Sequence, residues 1–387
     1  MGLIKKSSGK ISVYVRNFFK RADIFLLVMC LICTIFGIYA IQSTTMSEHT
    51  SKYVIVQSFA MCLGVCAFVF FTVIDPDLIA DKWIFLTFFN VAIIVGLIFF
   101  GHDDGTGNRA WYRFLGIGLQ PSEIVKVIFI VLLAKQMTIY KERRTLNQFG
   151  SIIKLALHWG LIFVLIVVVS KDLGSALIFL AIFIVMLITS GVAWYWLGIA
   201  AAAVAAMVPL FWNFILADYQ KNRILAPYIP DIIDPSGTGI TWQTHRTKEA
   251  LASGRLTGVG RGNGLFAQGN FNAKHTDCIF ASIGEEMGMI ACIIIIVLLT
   301  VIIIRCCVIG VRSGSPFGML ICFGVASALA FQTFINVGMC IGISPVIGIT
   351  LPFFSYGGSS IVAMFSAIGL VSGVKYRPKP KQHFIQY

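Results

Sequence analysis

The sequence predicts an all-α, polytopic membrane protein of about ten transmembrane helices with one large extracytoplasmic loop. Three observations carry that reading. Of 387 residues, 58% are hydrophobic and only 12% charged, and the mean hydropathy of +0.87 lies far outside the range of soluble globular chains. Apolar windows long enough to cross about 30 Å of hydrocarbon recur along nearly the whole chain. The basic residues, which give a formal charge of +13, fall overwhelmingly in alternate connections.

The windows lie near 24–42, 53–74, 83–100, 122–139, 153–170, 173–190, 192–215, 278–304, 316–340 and 345–372. Ahead of them, residues 11–21 mix Val13, Val15, Phe18 and Phe19 with Arg16, Lys20 and Arg21, the pattern of a short basic helix lying on the membrane surface; a solvated tail is the plainer alternative. No small-x-small cleavage site ends the first apolar run, which argues against a removed leader. The organisation expected is a cytoplasmic or interfacial segment 1–23, a membrane domain 24–372 with an outer loop at about 216–276, and a basic tail 373–387.

With the N-terminus placed in the cytoplasm, the inner connections hold Lys5, Lys6, Lys10, Arg16, Lys20, Arg21, Lys82, Lys141, Arg143, Arg144, Lys154, Arg305, Arg312, Lys375, Arg377, Lys379 and Lys381. The short outer loops hold Lys52, Arg109, Arg113 and Lys171. This asymmetry predicts both termini on the cytoplasmic side of the membrane, and it assigns the positive charge to membrane lipid rather than nucleic acid. The ten cysteines sit mostly in apolar runs, where they act as small apolar filler, and the six histidines form no metal-spaced cluster.

On the outer side, loop 101–121 carries Arg109, Trp111 and Arg113, cations and an aromatic ring suited to a phosphate or sugar ligand. It leads into Gln120-Pro121-Ser122-Glu123-x-x-Lys126, where Pro121 suits the first helical turn and Ser122 can cap it. Glu123 and Lys126 share one helix face, either as a structural ion pair or as a carboxylate and ammonium lining a cavity. The turn Ser170-Lys171-Asp172 is weak by itself, since Lys171 can simply snorkel. In the long loop, Gly258-Val259-Gly260-Arg261-Gly262-Asn263-Gly264 resembles a phosphate loop only superficially, because no Gly-Lys-Ser/Thr follows; a substrate-covering loop fits better.

The stretch from Lys274 to Gly288 puts Asp277, Glu285 and Glu286 at or just inside the membrane boundary, where an ionised group costs about 2.5–3.5 kcal/mol even on lenient scales. Thr276 or Asp277 is expected to cap the helix, and Ala281, Gly284 and Gly288 to form a seam for a close neighbouring helix. Glu285 and Glu286 read as structural partners of cations such as Lys126 or Lys171. Gln332 and Asn336 give the ninth span a polar stripe. The segment 342–360, with Pro345, Pro352 and Gly357-Gly358, implies a broken or re-entrant stretch, a hinge or a site wall.

Gln332-x-x-x-Asn336-x-Gly338-Met339, Pro345 and Leu351-Pro352-Phe353-Phe354-Ser355-Tyr356-Gly357-Gly358-Ser359-Ser360 together resemble the signature of the SEDS family (shape, elongation, division and sporulation), which includes FtsW, RodA and SpoVE. The Gln120–Lys126 motif, Asp172-Leu173-Gly174-Ser175-Ala176, Tyr219-Gln220-x-x-Arg223 and His275-x-Asp277 through Gly288 match in the same order. The resemblance covers about 24–372 and implies a peptidoglycan glycosyltransferase that polymerises lipid II on the outer face of the bacterial cytoplasmic membrane, working with a class B penicillin-binding transpeptidase. It places the catalytic aspartate on Asp277. It places the fourth-helix Glu and Lys of the family on Glu123 and Lys126 and its loop Arg-x-Trp on Arg109 and Trp111. These four, with Lys171, Arg223, Ser355 and Ser359, are the expected substrate contacts, and Glu285, Glu286, Gln332 and Asn336 are expected in structural support. No motif for a resident cofactor is present, and a divalent cation, Mg or Mn, is compatible with the chemistry. At 241–256 the chain departs from the family pattern, with charged Arg246, Glu249 and Arg255 in place of Gln, an apolar residue and Gly. A lipid II flippase and a non-catalytic scaffold for cell-wall synthases are the competing readings.

Overall fold

In the computed structural model, residues 16, 18–46, 50–102, 109–114, 117–215, 218–269, 271 and 273–377 are described. The expected surface helix at 11–21 and the basic tail 373–387 fall largely outside them; residues 16 and 18–21 are helical. The main helices are α1 (Ile24–Thr44), α2 (Lys52–Val73), α3 (Trp83–Phe100), α4 (Pro121–Glu142), α5 (Phe149–Ser170), α6 (Leu173–Ser190), α7 (Trp194–Leu210), α8 (Ile279–Arg312), α9 (Pro316–Ile341) and α10 (Gly358–Tyr376). Eight of these are long and apolar enough to cross a membrane. The other two stand at expected windows: α4 carries Glu123, Lys126, Lys135, Lys141 and Glu142, and α7 is shorter and holds Pro209.

Local chemistry sets the helix ends. Asp23 opens α1 by accepting from the Leu26 amide at 3.0 Å, Pro121 and Pro316 occupy first-turn positions whose amides need no partner, and Gly191 and Gly342 close α6 and α9 in left-handed conformation. The last apolar window is only partly helical. Residues 342–357 form an irregular segment, mostly buried from Ile349 onward, and α10 begins at Gly358, as two prolines and a paired glycine dictate.

The bundle packs around α2 with α10 and α8 with α9. Gly369 permits the first contact, since a Cβ there would lie 2.7 Å from the Phe68 carbonyl oxygen. At the end where α1 starts and α8 and α10 finish, buried Asp23 accepts from Arg305 at 2.6 Å and Lys375 at 3.0 Å, tying three helices together. Phe88, Phe99, Val168 and Ile293 are among the large apolar residues left exposed for lipid.

The connections at the other end are elaborate. Loop 101–121 holds a small antiparallel hairpin, β1 (Tyr112–Phe114) with β2 (Ile117–Leu119). The long connection after α7 contains helices at Asp218–Leu225 and Trp242–Gly254, the latter packed against α8.

Candidate active site

Asp277 sits in the turn just before α8, and its backbone is fixed over four successive residues. The carbonyl of Lys274 accepts from Ser282 Oγ (2.8 Å), that of His275 from the Tyr356 amide (2.9 Å), that of Thr276 from Ser355 Oγ (2.6 Å) and that of Asp277 from Asn336 Nδ2 (2.8 Å). Three of these four donors come from α9 and the 342–357 segment. That segment is anchored in turn. Asn336 Nδ2 also donates to the Ile349 carbonyl at 2.7 Å, Ser355 Oγ accepts from the Leu351 amide at 2.8 Å, and Gln57 of α2 grips the Ser355 carbonyl (2.9 Å) and the Gly357 amide (3.1 Å). Phe353, buried and with φ 67, is held in left-handed geometry that a bulky residue rarely adopts. Tyr53, His275 and Tyr356 form an aromatic cluster against the same turn, with Tyr53 and His275 centroids 4.5 Å apart.

The expected cap is absent. Cys278 occupies the N-cap position of α8 without a side-chain bond, so the Asp277 carboxylate is not consumed in capping; its Oδ2 would stand 3.5 Å from a Cβ placed on Gly348. Burial, and then the negative charge of Asp172, push the Asp277 carboxyl up to about 6. Asp172 caps α6, accepting from the Ser175 amide (2.9 Å), Ser175 Oγ (2.7 Å) and Gln120 Nε2 (3.0 Å). Its own carboxyl is raised, chiefly by burial, despite those bonds. Ser122, expected as a cap of α4, lies 3.2 Å from Ser175 Oγ instead, and Gln120 is the N-cap.

Glu123 and Lys126 are both buried and paired at 2.9 Å, with Gln332 Oε1 3.5 Å from the ammonium. Ser359 Oγ accepts from the Gln120 amide at 3.2 Å, which joins the start of α10 to the start of α4. Ser355 and Ser359 therefore serve here as wall elements. Arg109 and Lys171 are both exposed and are brought side by side, because the Arg109 amide donates to the Ser170 carbonyl at 3.2 Å; Lys171 takes φ 53. Trp111 is half-buried, its ring over Gly118 of β2. Arg223 is exposed on Asp218–Leu225 and makes no hydrogen bond or ion pair with another described residue, so the structure does not join it to Asp277.

Glu285 and Glu286 do not pair with Lys126 or Lys171. Glu285 accepts from the Phe266 amide at 3.0 Å and Glu286 from the Gly262 amide at 3.1 Å, so they bind the backbone of the covering loop. Gly288, read as part of a helix seam, instead breaks α8 with φ 80 and ψ −179. The loop backbone lies in the break: Met289 donates to Arg255 (2.9 Å), Val259 to Glu285 (2.9 Å) and Gly260 to Glu286 (3.1 Å). Gly284 does admit a close neighbour, the helix Trp242–Gly254, whose Leu251 side chain would meet a Cβ there at 2.3 Å. The atypical charges have local explanations. Arg246 and Glu249 pair on the exposed face at 3.1 Å, and Arg255 takes φ 47 where the family pattern has glycine.

Asp172, Gln120 and Gln57 escaped the sequence-based choice of site residues. The signals were the Asp-x-x-Ser capping spacing at 172–175 and a lone buried glutamine in the apolar run of α2.

Comparison with known proteins bears on the same regions. The profile of a family described as "Cell cycle protein", comprising FtsW, RodA and SpoVE, matches residues 20–379. A relative from Geobacter metallireducens named "Probable peptidoglycan glycosyltransferase FtsW" is 30% identical over 93% of this chain and 96% of its own. "Peptidoglycan glycosyltransferase MrdB" of Escherichia coli is 30% identical over 77% of this chain and 79% of its own. Among solved structures, a chain of a complex described as "Structural coordination of polymerization and crosslinking by a peptidoglycan synthase complex" superposes with a TM-score of 0.77 at 24% identity, over 92% of this chain and 97% of that one. Thermus thermophilus RodA superposes with a TM-score of 0.67 at 22% identity, over 92% and 96%. Matched by the profile over nearly its whole length, the chain belongs to the FtsW/RodA/SpoVE family of cell cycle proteins.

Proposed function

We infer that the chain is a peptidoglycan glycosyltransferase that polymerises lipid II, with Asp277 as general base. The observation that carries this reading is a half-buried carboxylate with its proton affinity raised to about 6, on a backbone held at four consecutive carbonyls. Such a group is mostly ionised at neutral pH yet basic enough to take a proton in a transition state. The carboxylate removes the proton from the acceptor hydroxyl of one lipid II as that oxygen attacks the anomeric carbon of the growing strand. The glycosidic C–O bond forms, the bond to the pyrophosphate breaks with inversion, and undecaprenyl pyrophosphate leaves. Arg109 and Lys171, adjacent and exposed, are the cations free to meet the pyrophosphate; Lys126 is already engaged by Glu123.

No step here runs through a divalent ion such as Mg or Mn. No three His, Cys, Asp or Glu side chains converge among the described residues, so an ion beside Asp277 and Asp172 would take most of its ligands from the pyrophosphate. In this reading the site end of the bundle faces out from the cytoplasmic membrane and both termini face the cytoplasm; Lys141, Arg143, Arg144, Arg305, Arg312 and Lys375, at the helix ends opposite the site, support it. A class B penicillin-binding transpeptidase is the proposed partner.

Lipid II turnover by the purified chain, alone and with that transpeptidase, tests the reading. Glycan polymer that disappears in Asp277→Asn is expected. Lipid II crossing the bilayer without polymer would point to a flippase, and polymer formation indifferent to Asp277 would point to a scaffold.

A further inference from the structure

The geometry points to a binding site for the phosphate of an anionic phospholipid at the end of the bundle opposite Asp277, between the C-termini of α4 and α6 and the N-terminus of α5. A cavity of about 550 Å3 opens there, lined by Lys141, Arg144, Leu146, Asn147, Gln148 and the Ser190–Gly191 turn. It lies at the far end of α4 from Gln120, about 33 Å away at 1.5 Å per residue over the 22 residues of that helix, and so belongs to the opposite membrane face.

The two cations are placed there by the backbone. Lys141 Nζ donates to the Ser190 carbonyl at 2.9 Å, which fixes the ammonium at the cavity wall and leaves two donors unused. Arg144 follows the end of α4 with φ 56, a conformation costly for an arginine, which turns the chain sharply ahead of Leu146. Neither Lys141 nor Arg144, nor their neighbour Arg143, pairs with a carboxylate of any described residue; no Asp or Glu lines the cavity, and Asp77 and Asp81, which also pack on α4, are held by Lys135 at 2.8 and 3.3 Å. Gln148 is the N-cap of α5 without a side-chain bond; its carbonyl takes the Ser151 and Ile152 amides, and the Phe149 and Gly150 amides add donors at the same place. The asparagine between them is consumed in structure: Asn147 accepts from the Ala193 amide (2.8 Å) and from Trp196 Nε1 (3.0 Å), which ties the start of α7 to the rim.

A freely soluble phosphate would need nothing more, but the rim is built for a lipid. Phe149, Trp194 and Tyr195 are 68%, 76% and 57% exposed around it, and Trp196 lies 6.1 Å from Phe149 between centroids. Exposed indole and phenol rings at the end of a membrane helix mark the headgroup level, where acyl chains can run down their apolar faces while a phosphate reaches the cations. Basic pockets between helix ends on the inner face suit anionic headgroups for this reason.

The test uses the full-length protein in bilayer discs of mixed phosphatidylglycerol and phosphatidylcholine, followed by native mass spectrometry of retained lipid. Retention of phosphatidylglycerol over phosphatidylcholine is expected. Each cation removed should weaken it about fivefold, so the Lys141→Gln/Arg144→Gln pair lowers it roughly thirtyfold. Arg144→Asn alone keeps the Lys141–Ser190 bond and tolerates left-handed geometry, so its fivefold loss can be read even if the double variant folds poorly. Lys154→Gln, at the same end but outside the cavity lining, should leave retention unchanged. Equal retention of both lipids, retention unaffected by Arg144→Asn, or displacement of the lipid by inorganic phosphate as complete as by soluble phosphatidylglycerol would overturn the assignment.

Discussion

Replacing Gly288 by alanine should release the covering loop from α8. At φ 80 and ψ −179 a residue with a side chain is strained by about 1–3 kcal/mol. The added Cβ would stand 2.3 Å from the Leu256 carbonyl oxygen and 2.5 Å from the Gly258 amide nitrogen, both backbone atoms that cannot swing aside. Relief therefore means moving the loop, which breaks the Met289–Arg255 and Val259–Glu285 hydrogen bonds, each worth about 1 kcal/mol net. The expected loss is about 3–5 kcal/mol, read as a lowered unfolding temperature in detergent together with faster proteolysis within 255–262. Gly150→Ala is the control, since nothing lies within 4 Å of a Cβ there. If Gly288→Ala melts and is cleaved like the control, the loop is not stitched to α8 as described.

Three further outcomes follow from the site. Asn336→Ala strips the donor from the Asp277 and Ile349 carbonyls; each buried acceptor left alone costs about 1–3 kcal/mol, and kcat for lipid II polymerisation should fall roughly ten- to hundredfold as Asp277 shifts. Lys126→Met strands the buried Glu123 carboxylate and should cost about 3–5 kcal/mol in thermal unfolding, whereas adding Glu123→Gln to it should restore most of that loss. With the Asp277 carboxyl at about 6, kcat/KM should rise with unit slope below that pH and level above it. The same group binds its proton more tightly folded than unfolded, so its contribution to stability is full below about pH 4 and lost as pH rises through about 6; Asp277→Asn should remove that pH dependence from the melting curve.

Hydrophobic windows anticipated the eight long apolar helices because length and apolarity specify such a helix, whereas the last window, 345–372, took in irregular residues and α10 starts only at Gly358. The paired charges Glu123 and Lys126, three residues apart, and the broken character of 342–357 were legible for similarly local reasons. What stayed hidden depends on contacts between distant residues. Nothing near Asp277 announces that Ser355 holds the Thr276 carbonyl from 79 positions away and Asn336 the Asp277 carbonyl from 59, or that Asp172 raises its proton affinity. Glu285 and Glu286 looked like partners for cations because buried carboxylates usually need charge compensation. Here the amides of Phe266 and Gly262 supply the hydrogen bonds, a solution available only once Gly288 breaks the helix and lets the loop approach. A glycine in a helical run reads equally well as a packing seam, and only the backbone angles distinguish the two.

The initial rate of lipid II polymerisation by purified Asp277→Asn, beside wild type at pH 7.5 or similar (~1.5 units above the carboxyl's midpoint), tests the general-base assignment most directly. Asparagine keeps the shape and the backbone anchors of the turn but cannot take a proton. The account predicts a rate lower by about 10²–10⁴ with lipid II binding preserved and a melting temperature at or above that of wild type, because asparagine carries no buried charge at this pH. A rate within a few-fold of wild type would contradict it.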